Sequence, residues 1–199
     1  MEKFTTVTSK VIPLPIKDVD TDLIIPAQYL TSISREGFGQ NLFRRLKDSD
    51  PAFPLNLPEY QNAKILLSDS NFGCGSSREH AVWAILGAGI RVVIAKSFAD
   101  IFFGNSAKSG LLLVTLPSEI VDALLADAAT KDVNLTVSLE NQTVTLPSGT
   151  IQRFDYDPFR RHCLMNGLDD IDYIRDQQTA IDNFRKQQAP TRFFSTTAA

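Results

Sequence analysis

The stretch best equipped for chemistry is NFGCGSSREHA, residues 71–81, which gathers hydroxyl, thiol and guanidinium groups in a glycine-rich segment. Gly73 and Gly75 flank Cys74, and glycine permits positive φ angles and a close approach of the backbone to a ligand. Arg78 carries a planar guanidinium that binds a carboxylate through two parallel hydrogen bonds. These residue types predict a loop that binds an anionic ligand.

The flanking segments indicate how this loop is held. Residues 63–69, AKILLSD, have the apolar character of a buried strand, and residues 81–89 carry apolar side chains at helical spacing. A second apolar strand is predicted over residues 91–98. The resulting unit is strand, glycine-rich turn, helix, strand, in which the free N–H groups and the positive dipole of the helix N-terminus face a ligand beyond the strand end.

Helix capping is the alternative explanation of the two serines. Ser76 or Ser77 can cap the helix, and Glu79 can complete a capping box with them. Capping needs one serine and no arginine, however, so the second hydroxyl and the guanidinium favour a functional loop. The sequence lacks both GxGxxG and GxxxxGK[ST], which disfavours a nucleotide site.

Composition narrows the class of protein further. The 199 residues are 43% hydrophobic, enough for one sizeable core, and we expect a single domain over 1–199. Twenty basic and 23 acidic residues give a net charge of −3, which disfavours nucleic acid or an anionic membrane as partner. We find neither an 18-residue apolar run nor a signal peptide, and expect a cytoplasmic protein without a membrane segment.

The cysteines and histidines do not form a metal-binding pattern. Cys74 and Cys163 are the only cysteines and show no CxxC spacing, which excludes a zinc ribbon or an iron–sulfur site made from cysteines of this chain alone. A disulfide between them is not expected in a reducing compartment. We expect structural roles for His80 and His162, and no metal ligands in this chain.

Two further polar groups have competing explanations. Asp20, Thr21 and Asp22 are interpreted as a turn that sets up the next strand, in preference to a functional cluster. Asn105 and Ser106 could line the site beside Lys108, although a helix end capped by glycine explains most of that segment.

The remaining chain divides into predicted elements. Residues 31–62 contain glycines and closely spaced prolines and are predicted to form a long flexible loop. The other predictions are a strand over 5–12, a helix over 98–109, a strand over 111–116, a helix from 117, a hairpin and further strand within 134–154, a final helix over 170–187 and a disordered tail over 188–199.

Four segments carry a resemblance to a known family. GCGSSREHA resembles the signature of the swivelling domain of the aconitase superfamily, and residues 18–30, 92–112 and 154–171 are similar, in order, to small subunits of bacterial 3-isopropylmalate dehydratases. The resemblance implies an α/β fold, a three-layer β/β/α swivelling domain with a barrel-like sheet and flanking helices. One departure is DYIR at 172–175, where those relatives continue GLTL, and it affects C-terminal packing more than catalysis.

The resemblance also implies a hydro-lyase that is active only with a large subunit. That subunit would supply a four-iron four-sulfur cluster, and this chain would hold no cofactor. Ser76 is implied as the base that removes a proton from a small hydroxy acid, and Arg78 as the group that clamps its carboxylate, with Gly75 and Ser77 as substrate-binding residues. The choice between Ser76 and Ser77 as the base remains open.

The implied substrates are 2-isopropylmalate and 3-isopropylmalate, which are interconverted by dehydration and rehydration in leucine biosynthesis. The mostly apolar stretch 29–33, which begins with Tyr29, Leu30 and Thr31, is expected to receive the isopropyl group, and Arg35 lies close to it in sequence. Two alternatives stay open: a related subunit acting on homoaconitate, citramalate or citrate, and a non-catalytic assembly subunit.

Overall fold

The fold is organised around one mixed sheet of seven strands. The computed structural model describes residues 1–30 and 37–187. The strand order across the sheet is β4-β3-β2-β1-β5-β6-β7. The strands are β1 (Thr6–Leu14), β2 (Ile65–Ser68), β3 (Val92–Ala95), β4 (Leu112–Thr115), β5 (Asn134–Ser138), β6 (Thr143–Thr145) and β7 (Ile151–Arg153).

The sheet has a parallel half and an antiparallel half that meet at β1. The second part of β1 pairs in parallel with β2, with Val11 opposite Ile65, and its first part pairs antiparallel with β5, with Val7 opposite Val137. The strands β2 and β3 are buried at every position, as expected for parallel strands covered on both faces. The carboxyl ends of β1 and β2 therefore lie side by side at one edge of the sheet.

Eight helices accompany the sheet within the described residues. They are α1 (Thr21–Ile24), α2 (Arg44–Ser49), α3 (Glu79–Gly87), α4 (Asp100–Ser109), α5 (Ser118–Ala128), α6 (Pro158–Asn166), α7 (Asp170–Asp176) and α8 (Gln178–Gln187). No helix in residues 1–30 or 37–187 is long and apolar enough to cross a membrane.

The core consists of two apolar clusters on opposite faces of the parallel strands. Neighbouring residues alternate between them: Ile12 and Leu66 belong to one cluster, Val11 and Ile65 to the other. The first cluster also contains the buried side of α3, and the second contains that of α5. The predicted α/β fold with a barrel-like sheet and flanking helices is confirmed, and β2, α3 and β3 form the predicted strand–turn–helix–strand unit.

Residues 37–62 are more regular than the sequence indicates. They form α2 and three 3-10 turns, at Phe38–Asn41, Pro54–Asn56 and Pro58–Tyr60. Prolines begin two of these turns, because a residue without an N–H suits the first helical position. Phe38, Phe43, Phe53 and Tyr60 are buried and fix the segment to the core. The flexibility predicted for 31–62 stays a prediction, and residues 31–36 and the tail 188–199 lie outside the described residues.

The C-terminal region differs from the prediction in its helices. The single helix expected over 170–187 is two helices, α7 and α8, and neither a glycine nor a proline in the sequence marks the break. The helix α6 precedes them and was not predicted. Asp169 caps α7 by accepting hydrogen bonds from the backbone of Ile171 and Asp172, in a full capping box.

Candidate functional site

The glycine loop, residues 71–78, connects the carboxyl end of β2 to α3, as predicted. Its backbone takes left-handed φ angles at Asn71 (57°), Gly73 (81°) and Gly75 (94°). A Cβ atom on Gly73 would lie 2.2 Å from the Phe102 ring, so only glycine fits there. The loop therefore folds tightly over the buried aromatic core and projects the residues after Gly75 outwards.

A second segment, the acidic turn of residues 18–22, is joined to the glycine loop by hydrogen bonds. The Gly73 N–H donates to the Val19 carbonyl at 2.7 Å, and the Thr21 N–H donates to the Cys74 carbonyl at 2.9 Å. The two segments meet because they follow the adjacent parallel strands β1 and β2. The candidate site is thus built from two chain segments, of which only the glycine loop was predicted to be functional.

The acidic turn caps a helix and also contacts the glycine loop. Asp20 caps α1, accepting a hydrogen bond from the Leu23 N–H at 2.6 Å, so it begins a helix rather than the strand that was expected. Thr21 and Asp22 contact residues of the glycine loop directly. The structural interpretation of the cluster fits Asp20 and stays a prediction for Thr21 and Asp22, whose contacts join the turn to the glycine loop.

Ser76 lies at the junction of the two segments. Its Oγ is 3.1 Å from the Oγ1 of Thr21, and its backbone N–H donates to the same Thr21 oxygen at 3.2 Å. Ser77 is on the same loop, and its carbonyl accepts a 3.4 Å hydrogen bond from the Asn105 side chain. Gly75, Ser76 and Ser77 are all exposed.

The alternative explanation of the two serines, a capping box at the start of α3, does not apply. The N-cap residue is Arg78, which makes no side-chain capping bond. Glu79 is the first residue of α3, and one oxygen of its carboxylate accepts hydrogen bonds from Trp83 Nε1 at 3.3 Å and from the Ser109 hydroxyl at 3.0 Å. The hydroxyls of Ser76 and Ser77 are therefore not used in capping this helix.

Arg78 is held by the acidic turn. Its Nη1 donates to Asp22 Oδ1 at 2.9 Å, and Arg45 of α2 lies 2.7 Å from the other carboxylate oxygen of Asp22. The hydrogen bond from Arg78 and the N–H of Ala27 hold the pKa of Asp22 below its usual value against partial burial. Two cations share one carboxylate, so the group retains positive charge for an anion. No local pattern reveals this group, because Asp22 and Arg78 are 56 positions apart.

The residues expected to receive the substrate side chain are only partly within the structure. Tyr29 ends the 3-10 turn Ala27–Tyr29 that follows α1, and Leu30 caps that turn. Both are half-buried and pack against the core cluster that contains Phe72. Thr31 and Arg35 lie outside the described residues.

The cysteines and histidines have no shared site. Burial, followed by the nearby charges of Asp20 and Asp18, raises the pKa of the Cys74 thiol, and burial raises that of Cys163 on α6. His80 packs edge-on against Phe38 and Trp83, His162 lies beside Asn166, and within residues 1–30 and 37–187 no three His, Cys, Asp or Glu side chains gather as metal ligands.

The helix α4 contributes one polar group to the loop. Asn105 contacts the Ser77 carbonyl, whereas Ser106 is fully buried and Lys108 faces Asp170 at 3.6 Å. Gly110 ends the helix in a left-handed conformation, as expected from the sequence. Of the three candidates on this helix, only Asn105 reaches the site.

The site is an open surface on the described part of the chain. Two large cavities, of about 460 and 480 Å³, lie elsewhere, the first lined by residues such as Lys64 and Arg91 and the second by residues such as Gln40 and Tyr60. Neither includes Ser76 or Arg78. A hydroxyl on the same loop as a partly neutralised cation suits proton transfer next to a carboxylate, but such chemistry also needs water to be excluded.

Comparison with protein families gives two matches along the chain. The family described as Aconitase C-terminal domain matches residues 1–119, more than half of the chain. The family described as LeuD_N matches residues 122–158. The glycine loop and the acidic turn both lie within the first match.

Individual proteins are similar over nearly the whole chain. The 3-isopropylmalate dehydratase small subunit of Francisella philomiragia is 50% identical over 188 residues, which is 94% of this chain and 99% of that protein. The small subunit from Paracoccus denitrificans is 48% identical over 198 residues, 96% and 98% of the two chains. A crystal structure of 3-isopropylmalate dehydratase (leuD) from Methanocaldococcus jannaschii matches with a TM-score of 0.69 at 26% identity, covering 90% of this chain and 99% of that one.

Proposed function

The chain belongs to the family of 3-isopropylmalate dehydratase small subunits, in the aconitase superfamily, and on that premise we propose that it helps to interconvert 2-isopropylmalate and 3-isopropylmalate in leucine biosynthesis. The reaction removes water from one isomer and adds it back across the same two carbons in the opposite sense. The cytoplasm is the proposed location. The observation that carries the proposal is the Ser76 hydroxyl placed on the same loop as the paired cation Arg78.

Ser76 is proposed as the base. Its deprotonated Oγ takes the proton from the carbon next to a carboxylate, the C–H electrons form the double bond, and the hydroxyl on the neighbouring carbon leaves with its bonding pair. Rehydration runs the same transfers in reverse. A serine alkoxide is costly in water, and the positive end of α3 together with Arg78 lowers that cost.

Arg78 is proposed as the substrate carboxylate clamp. Among the described residues the Arg78 guanidinium donates to Asp22 alone, through Nη1, and its other N–H groups can form two parallel hydrogen bonds to a carboxylate. Asp22 orients the guanidinium in this arrangement. Gly75 and Ser77 line the same exposed stretch and are proposed to contact the substrate.

A large subunit is proposed to cover this surface, because Ser76 and its neighbours are exposed on the described chain. A four-iron four-sulfur cluster held by that subunit would supply Lewis-acid activation of the departing hydroxyl. The described residues of the small subunit offer no ligand group for such a cluster, so no ligand of it is assigned to this chain.

Substrate choice is proposed to rest on the segment after Pro26. Tyr29 and Leu30 present partly buried apolar surface, which favours an isopropyl group over a third carboxylate because a charge buried there would be unpaired. Thr31 and Arg35 are proposed to complete this segment. One observation favours the alternative of a tricarboxylate such as homoaconitate: Arg45 places a second cation beside Arg78.

The test is turnover by the complex reconstituted with a large subunit from the same family. We expect Ser76→Ala to lower kcat by ~10²–10⁴-fold with folding and assembly intact, because only the proton acceptor is lost. The comparison variant is Ser77→Ala, which removes the neighbouring hydroxyl that is proposed to contact the substrate, and it is expected to raise KM while retaining most of kcat. Near-native turnover by Ser76→Ala would assign the base elsewhere, and normal turnover by both variants would favour a non-catalytic assembly subunit.

A further inference from the structure

We propose that Thr21 is a positioning residue that donates a hydrogen bond to Ser76 Oγ and thereby stabilises its deprotonated form. This inference rests on the proposed role of Ser76 as the base. Thr21 is the first residue of α1, in the acidic turn that was expected to be purely structural. It contacts no substrate itself and acts through Ser76.

The contact is built from both sides of the junction. Thr21 is only 2% exposed, and its Oγ1 lies 3.1 Å from Ser76 Oγ and 3.2 Å from Ser76 N. Its own N–H donates to the Cys74 carbonyl, two residues before Ser76. A Cβ on Gly75 would stand 3.3 Å from Thr21 Oγ1. The glycine, which lies between Cys74 and Ser76, therefore lets the loop pack directly against the threonine hydroxyl.

The available donors and acceptors indicate that Thr21 donates the hydrogen bond between the two hydroxyls and Ser76 accepts it. A backbone N–H can only donate, so the Ser76 amide occupies one lone pair of Thr21 Oγ1. The single hydroxyl proton of Thr21 then needs an acceptor, and Ser76 Oγ is the one that lies within reach among the described residues. If Ser76 donated instead, the Thr21 proton would be left unpaired in a position almost closed to water, which is costly.

A donor in this position has two effects on Ser76. A hydrogen bond to a charged oxygen is stronger than one to a neutral oxygen, so it favours the alkoxide over the hydroxyl. It also fixes the Ser76 side chain, since the Thr21 hydroxyl is itself buried and held by the Ser76 N–H. Both effects belong to proton transfer, whereas substrate affinity depends on Arg78.

The experiment compares two Thr21 variants in the reconstituted two-subunit enzyme. Thr21→Val keeps the shape but removes the hydroxyl, and we expect kcat to fall about 10- to 100-fold while KM changes less than about twofold. Thr21→Ser restores the donor and is expected to recover most of kcat. In the Ser76→Ala background, Thr21→Val should cause no further loss, because its effect is transmitted through Ser76.

The control is Thr8→Val, which breaks a similar hydroxyl pair between β1 and β5, where Thr8 and Thr136 are 2.8 Å apart, and is expected to leave kcat unchanged. Thr21→Ala serves in the same comparison if the valine variant does not fold. Native kcat in Thr21→Val with an inactive Ser76→Ala would overturn the inference alone. If kcat falls only as far as the thermal stability of Thr21→Val falls, and Thr21→Ser does not recover it, Thr21 has a structural role alone. A fully active Ser76→Ala would instead overturn the proposed function on which the inference rests.

Discussion

Two groups of three charged residues lie at the carboxyl edge of the parallel strands, and they have opposite charge balance. In the first, Asp22 is shared by the cations Arg78 and Arg45. In the second, Lys96, which follows β3, is shared by two carboxylates, 3.0 Å from Asp69 and 2.6 Å from Asp122. The first group thus carries an excess positive charge and the second an excess negative charge.

This difference in charge balance separates a group that can bind an anionic ligand from a group that stabilises the fold. The Arg78 and Asp22 side chains are 26% and 35% exposed, and the guanidinium has further donors available. In the second group the Lys96 and Asp69 side chains are 14% and 12% exposed, whereas Asp122 is 60% exposed. An ion pair at the carboxyl edge of a sheet is therefore not in itself evidence of a binding site. The first group differs from the second in the sign of its unpaired charge and in the greater access of its cation, Arg78, to solvent.

The largest effect on activity should come from removing the planar guanidinium of Arg78 in the first group. We expect Arg78→Lys to lower kcat/KM by about 10²–10³-fold, with a higher KM, because an ammonium cannot form two parallel hydrogen bonds to a carboxylate. Steady-state kinetics of the reconstituted enzyme measure this. The control is Arg44→Lys, in the exposed pair with Asp48 on α2, which should leave kcat and KM unchanged. Full activity of Arg78→Lys would show that only the charge matters.

The matching change in the second group should affect stability and leave KM alone. Lys96→Met leaves Asp69 and Asp122 without their cation, and we expect the thermal midpoint to fall by ~5 °C. The control is Lys131→Met, which removes an exposed ion pair with Asp127 on the surface of α5 and should have little effect. A raised KM in Lys96→Met at full stability would mean that this group also binds substrate, and the distinction between the two groups would fail.

A smaller effect is expected from Asp22→Asn. The amide keeps an acceptor oxygen for Arg78 but loses the charge, and we expect kcat/KM to fall about tenfold, mainly through KM, as the guanidinium is held less firmly. Inhibition by simple dicarboxylates gives an independent measure of affinity. A lower KM in this variant would show that Asp22 competes with the substrate for Arg78 instead of orienting it.

The smallest effect concerns the pH dependence of stability. The pKa of Asp22 is lowered chiefly by Arg78, and that of Asp69 is lowered because Lys96 and the Ser70 N–H outweigh burial. Both carboxylates therefore stabilise the fold above their unfolded pKa, and this contribution is lost as the pH falls through the lower folded values. Urea midpoints measured between pH 2 and 6 should fall less steeply in Asp22→Asn than in the parent chain, by a modest amount because the pair is partly exposed.

Lys96 determines how stability depends on pH at the alkaline end of the range. Hydrogen bonds to Asp122 and Asp69 raise its pKa, so its contribution is complete below the unfolded pKa and is lost as the pH rises through the higher folded value. Lys96→Met should remove this alkaline dependence, and Asp22→Asn should not. The same urea titration extended to alkaline pH provides the check.

Particular residues show how far the sequence could be interpreted. The glycine loop and the helices α3 to α5 were predictable because apolar periodicity, Gly73, Gly75 and Gly110 act within a few residues of the structure they determine. The segment 37–62 was not, because its prolines begin helical turns as readily as they end them. The break between α7 and α8 has no glycine or proline signal at all.

The sequence by itself determined the local unit that carries Ser76 and Arg78 and the family to which the chain belongs. The tertiary structure alone decided what those residues touch. Thr21 meets Ser76, and Asp22 meets Arg78, across 55 and 56 positions because β1 and β2 are parallel neighbours whose carboxyl ends open at the same edge. Strand order is a long-range property that no local pattern encodes, so a turn that is unremarkable in sequence becomes half of the site once the sheet is formed.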